Sequence, residues 1–107
     1  MNEMMKELIA SVHRLSLSAE GQLASLPDGC CKADELALDF NDAWRVVVAD
    51  VPPEAEPMIT ELDQLLESMS GQDKNELWTD TALKTKPEWA LIREKAKRIL
   101  EIIQTAP

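Results

Sequence analysis

The stretch TKPEWALIREKAKRILEII, residues 85–103, decides the fold class. Its apolar residues recur every three or four positions, which is the period of a helix and not that of a strand. The residues on this apolar face are Trp89, Ile92, Ala96, Ile99, Leu100 and Ile103. Thr85 and Glu88 have the spacing of a capping box, and Pro87 suits a first helical turn. The stretch therefore predicts an amphipathic helix with Thr85 as its N-cap.

The same period continues upstream, between turn-rich breaks at residues 26–31, 51–57 and 70–75. In the first segment the apolar face keeps its phase for about six turns, which predicts one long helix that ends at Pro27. Nearby serines and Gly21 leave a break near the middle of this helix open, because serine also caps helices.

The second segment contains CCKADELALDFNDAW, residues 30–44, and predicts a helix capped by Asp34. Pro52 ends this helix, because the residue before a proline avoids the α region. The sequence RVVV at residues 45–48 is a poor helix former, so a short strand at residues 45–49 is the competing interpretation. The unbroken apolar face favours the helix.

The third segment predicts a helix that starts at Pro57 and stops at Gly71. A short helix around residues 76–84 is expected to follow it. Short links between amphipathic helices favour antiparallel neighbours. The expected fold is therefore all-α, a single domain of residues 1–107 arranged as an up-and-down bundle of four to five helices.

Charge is the outlying feature of the composition. The 107 residues carry a net charge of −9, and residues 1–80 hold 17 acids and only 5 bases. Residues 81–107 reverse this balance, with 3 acids and 6 bases. An acidic body repels nucleic acid and anionic lipid and attracts basic proteins. We therefore expect a basic protein partner, with no nucleic acid and no membrane.

The N-terminus and the cysteines predict a cytoplasmic protein. Residues 1–15 carry acids early and lack the apolar block of a secretory signal. No apolar run approaches the roughly 18 residues that span a bilayer. Cys30 and Cys31 are adjacent, so a disulfide between them would be strained and would link nothing distant. Reduced thiols fit a cytoplasmic location.

Residues for metal, cofactor or catalytic chemistry are sparse, so we expect no metal, no cofactor and no enzyme. Cys30 and Cys31 form one badly spaced pair, whereas structural zinc needs four ligands. In DFNDAWRVVVAD, residues 39–50, Trp44 occupies the position where a calcium loop needs glycine. Glycine-rich phosphate loops are missing, and His13 is the only histidine. An enzyme that uses His13 is kept as a third hypothesis.

The predicted second helix is apolar on more than its core side. Leu38, Val46 and Ala49 lie opposite the core face and close to acidic residues. Our first hypothesis is therefore a protein–protein interaction module that binds a basic partner, in the manner of immunity proteins that neutralise toxins. The residues expected to bind this partner are Glu35, Leu38, Asp39, Asp42, Glu61, Asp63, Glu67 and Trp78. The alternative is a structural homodimer without catalytic activity, whose second helix buries Leu38 and Val46 against its copy.

Two strings together suggest a family resemblance: LPDGCCKADELALDFNDAW at residues 26–44 and ELWTDTALKTKPEWALIREKAKRIL at residues 76–100. They resemble a group of small uncharacterised bacterial proteins that share an ADELALDF segment, an ELWT..AL stretch and a PEW..IR pattern. The resemblance covers the chain from about residue 15. It implies a bacterial source and a compact helical fold, and it carries over no catalytic residue.

Overall fold

The structure, a computed structural model, describes residues 3–27, 31–47 and 50–105. These residues form seven helical segments and no strand, so the all-α prediction is confirmed. Four segments are long: α1 (Glu3–Ser16), α3 (Lys32–Val47), α4 (Glu56–Ser68) and α6 (Pro87–Thr105). Three are short: α2 (Ala19–Ala24), a 3-10 helix (Gln72–Trp78) and α5 (Asp80–Thr85). The seven segments exceed the expected four to five helices, and four of the seven are long.

The core is built from the apolar faces that the sequence predicts. α1 contacts both α3 and α6, and α4 packs against α6. Trp89, Ile92 and Ile99 of α6 are completely buried, as are Phe40 of α3 and Leu62 of α4. One contiguous cluster of buried side chains joins these helices. No helix in the described part of the chain is long and apolar enough to cross a membrane.

The first apolar segment forms two helices and not one. α1 ends at Ser16 and α2 begins at Ala19, so the prediction of a single helix to Pro27 is wrong. Ser18 is the N-cap of α2, and its hydroxyl accepts a hydrogen bond from the Gly21 N–H at 3.1 Å. The break that the serines left open is therefore present, and a serine cap causes it.

Two predicted N-caps are also wrong. α3 begins at Lys32, so Asp34 lies inside its first turn, where a carboxylate still suits the positive end of the helix. Thr85 is the last residue of α5, and its hydroxyl donates to the Thr81 carbonyl at 2.9 Å. Lys86 separates α5 from α6 in an extended conformation, which the following proline imposes.

The valine-rich segment is helical as far as it is described. Val46 and Val47 belong to α3, so the competing strand is wrong for these two residues. Val48 and Ala49 lie outside the described residues. Asp50 has 3-10 geometry and Val51 lies in a bend, so the prediction that this α-helix continues to Pro52 is wrong.

The third segment and its successor follow the sequence pattern closely. α4 has Pro57 in its first turn, and Gly71 follows the helix at φ 136°. The short helix expected around residues 76–84 is two helices, because Thr79 between them is extended. The Thr79 hydroxyl caps α5 by accepting a hydrogen bond from the Ala82 N–H at 3.0 Å.

A buried glutamine and a half-buried arginine connect α2 with α1, α5 and α6. The Gln22 side-chain amide donates to the carbonyls of Leu15 at 3.0 Å and Arg14 at 3.3 Å, at the end of α1. Its oxygen accepts from the Arg93 guanidinium at 3.0 Å, and Arg93 also donates to the Leu83 carbonyl in α5. Burial lowers the pKa of Arg93 from its ordinary value, but arginine stays protonated in proteins. The network thus supplies hydrogen-bond donors to carbonyls in the last turns of α1 and α5, which have no partner within their own helix.

Candidate partner-binding groove

A groove of about 790 Å³ lies between α3 and α4, and the segment around the 3-10 helix also lines it. We call it the α3–α4 groove. The α3 side contributes residues at helical spacing, from Asp34 to Arg45. The remaining lining residues are Cys31 before α3, Asp63, Leu66 and Glu67 of α4, and Ser70, Gly71, Asn75 and Trp78 after it.

The groove exists because of the way in which the long helices pack. α3 lies mainly on α1, and α4 packs on α6, so within the described residues α3 and α4 make little direct contact. Between them, Phe40, Trp44 and Leu66 are buried and form an apolar floor. Such a floor with polar walls is the usual construction of a binding site.

The 3-10 helix closes the groove at the start of α3. The Cys31 thiol lies 3.5 Å from the Trp78 carbonyl oxygen, which joins the two elements. The indole N–H of Trp78 donates to the Met69 carbonyl at 2.9 Å, and its ring meets Trp89 edge to face with centroids 5.6 Å apart. Trp78 is therefore held rigidly while part of its ring stays accessible at the groove.

Acidic side chains dominate the walls of the groove. Asp34 stands on the α3 wall, and Asp63 and Glu67 stand one turn apart on the α4 wall. Arg45 is the single basic residue among the lining residues, and its guanidinium donates to Asn41 at 3.4 Å. Three carboxylates against one guanidinium give the lining a net charge of −2.

The structure brings half of the predicted partner-binding residues together. Leu38, Asp63, Glu67 and Trp78 all line the α3–α4 groove, although they come from three separate elements. Leu38 is 45% exposed, as expected for an apolar residue that points away from the core. These four residues combine apolar and acidic side chains in one concavity, and their part in partner binding stays a prediction.

The other four predicted residues do not line the groove. Asp39 faces Arg14 of α1 with a shortest N–O distance of 3.3 Å, and Glu61 faces Lys95 of α6 at the same distance. Glu35 and Asp42 are also absent from the lining residues. Four of the eight predicted residues therefore lie outside the groove, and the part of all eight in partner binding stays a prediction.

Nothing in the sequence identifies several of the lining residues as parts of a binding site. Phe40, Trp44 and Leu66 fit the core pattern, and only the gap between α3 and α4 makes them a floor. Asn41 and Asn75 are ordinary polar residues on predicted surfaces. Only the tertiary packing of α3 and α4 distinguishes all of these residues from their neighbours.

His13 lies at a second concavity, on the outer side of α1. This concavity has a volume of about 600 Å³, and its lining residues are Lys6, Glu7, Ile9, Ala10, His13, Arg14 and Leu100. His13 is exposed, and these residues include no serine, threonine or cysteine that it could activate. In the described ranges, no three histidine, cysteine or acidic side chains are grouped as metal ligands.

The chain matches no protein-family model, and no curated protein or solved structure is significantly similar to it. The geometry and charge of the α3–α4 groove therefore carry the functional argument alone.

Proposed function

We propose that this protein is a protein–protein interaction module whose α3–α4 groove binds a basic segment of a partner protein. The observation that carries this proposal is the convergence of Leu38 and Trp78 with Asp63 and Glu67 in one groove. The apolar residues offer a place for an aliphatic anchor, and the carboxylates favour lysine or arginine beside it. Aromatic residues at the centre of an interface commonly supply much of the binding energy.

Charge supports a basic partner over a neutral one. The groove lining has a net charge of −2, and residues 1–80 around it have a net charge of −12. Complementary charge of this kind accelerates association and makes it depend strongly on salt. A basic toxin that an immunity protein neutralises is one partner with this chemistry, and the proposal includes a bacterial source and a cytoplasmic location.

The test uses a fluorescein-labelled 12-residue peptide of lysine and leucine and measures fluorescence anisotropy at two salt concentrations. The variants D63K/E67K and L38S should each weaken binding about tenfold or more, because each removes one half of the recognition. The matched control is D50K/E54K, since both acids are exposed, lie outside the groove and change the net charge equally. Equal weakening by the control would show general charge attraction and would contradict the groove.

A structural homodimer is the second proposal, and the exposure of α3 favours it. Val46 is 60% exposed and Leu38 is 45% exposed, and the two are two helical turns apart. Antiparallel pairing of two copies of α3 through these residues would place Asp42 opposite its own copy, and this like-charge contact opposes the dimer. Sedimentation of the wild type and V46D at tens of micromolar tests it, and a monomeric wild type would remove this proposal.

The up-and-down order of the four long helices and their organisation as a single domain are also proposals. Contacts of α1 with α3 and α6, and of α6 with α4, support them, because they join all four long helices.

A further inference from the structure

The α3–α4 groove occupies the place that a further helix would take in the bundle. α3, α1, α6 and α4 follow one another through their contacts, and α3 and α4 are the two helices at the ends of this series. A helix laid between them would contact both and would complete a ring around the core. Antiparallel bundles are stable because each helix has two such neighbours.

The length of the groove also fits a helix. Its α3 wall runs from Asp34 to Arg45, which corresponds to about 16 Å along the helix axis. The same length accommodates about three turns of a second helix. Among the lining positions on α3, Asp34, Leu38, Asn41 and Arg45 recur at three and four residues, so they form the kind of ridge that helices use to pack.

The chemistry of the walls defines the pattern of the bound helix. Asp63 and Glu67 are four residues apart on α4, so their carboxylates match cations that are one turn apart on a facing helix. Leu38 and Trp78 border the apolar floor and match aliphatic residues at positions i, i+3 or i+4, and i+7. A helix with one apolar face and lysine or arginine beside it satisfies both requirements.

We propose that the occupant of the α3–α4 groove is a cationic amphipathic α-helix of about three turns that the partner supplies. This inference rests on the proposed function, which requires only a basic segment, and it adds the conformation of that segment. Binding through a helix costs less when the helix is already formed, because less conformational freedom is lost on association.

The experiment compares three peptides, of which the first two have identical composition and charge. The first is the 12-residue lysine and leucine peptide with its leucines at helical spacing. The second has the same sequence with two central residues as D-enantiomers, which interrupts the helix. The third carries a covalent staple between positions i and i+4 on its solvent side. We expect the D-substituted peptide to bind at least about tenfold more weakly than the first, and the stapled peptide to bind more tightly.

Circular dichroism of the complex with the first peptide provides the structural readout. The signal at 222 nm should exceed the sum of the separate components, because the peptide becomes helical when bound. The D63K/E67K variant should show neither the gain in helical signal nor the difference between the first and second peptides.

Three other results would each contradict one or both of the proposals. Equal binding of the first and second peptides, with loss of both in D63K/E67K, overturns the helical occupant and leaves the basic partner intact. No binding of any peptide overturns both proposals. A wild-type dimer that L38S converts to monomer shows that a second copy occupies the groove, which also overturns the partner helix.

Discussion

Replacement of Gln22 by methionine tests whether the polar network between α2, α1, α5 and α6 stabilises the fold. The side chain is completely buried and takes part in three hydrogen bonds, to Leu15, Arg14 and Arg93. Methionine has a similar length and fits the same space, but it offers neither the donor nor the acceptor. The Leu15 carbonyl and one guanidinium N–H then lose their partner, whereas the Arg14 carbonyl keeps the hydrogen bond that it accepts from the Leu17 N–H at 3.2 Å.

The expected cost follows from these three bonds. Each bond to a carbonyl contributes about 1 kcal/mol, and the bond from the charged Arg93 contributes about 1.5 kcal/mol. Burial of the more apolar methionine side chain offsets about 1 kcal/mol of this loss of stability. The free energy of unfolding should therefore fall by about 2 to 3 kcal/mol. With an m-value of about 1.5 kcal/mol/M, the urea midpoint falls by roughly 1.5 M.

The assay is urea unfolding followed by circular dichroism at 222 nm. Gln64→Met is the matched control, because Gln64 is exposed on α4 and its replacement should change the stability by less than about 0.5 kcal/mol. A double-mutant cycle with Arg93→Met should give a coupling energy of about 1 kcal/mol or more. Equal effects of the two glutamine substitutions, or additive effects of Gln22 and Arg93, would refute the network as a source of stability.

Three further predictions concern backbone strain, the tryptophans and the groove thiol. Gly71→Ala should destabilise the protein by about 1–3 kcal/mol in urea unfolding, because φ 136° and ψ 155° suit glycine almost alone. In the same assay, Trp89→Phe should lower the free energy of unfolding by about 2 kcal/mol, because it removes a buried indole hydrogen bond. Trp78→Phe should lower it by about 1 kcal/mol or less, because its indole hydrogen bond is partly solvated. A larger loss of stability in Trp78→Phe than in Trp89→Phe would contradict this reasoning. In the Cys30→Ser variant, a saturating concentration of the lysine and leucine peptide should slow alkylation of the exposed Cys31 severalfold, because Cys31 lines the groove. Mass spectrometry measures the alkylation rate, and an unchanged rate would mean that the peptide binds elsewhere.

Periodicity predicted the long helices because burial of an apolar face dominates their energetics. Ile92 and Ile99 are completely buried in α6, as their spacing requires. The errors concern helix ends, where a single local contact decides the outcome. Ser18 interrupts the first segment although the apolar face continues across the break to the buried Ala19. Thr85 has the spacing of a cap, but Pro87 forces the residue between them out of the helix.

The candidate site was predictable only in part, for a related reason. The helical period identifies Leu38 and Asp63 as candidate contact residues, because it places both on the outward sides of predicted helices. Asp39 and Glu61 have the same signature, yet each faces a cation on another helix. Only the tertiary arrangement decides which outward residues meet across a groove. A sequence pattern on one helix contains no information about the helix that faces it.

The acidic walls of the α3–α4 groove affect both the free protein and the complex. Closure of the groove would bring Asp34 on α3 towards Asp63 and Glu67 on α4, and like-charge repulsion opposes this approach. A cationic helix between the walls reverses the sign of the same interaction and covers Leu38 and the apolar floor. A neutral apolar helix would cover the floor but would leave the carboxylates desolvated without partners, which is costly. The carboxylates therefore favour an open groove in the free protein and select a cationic occupant in the complex.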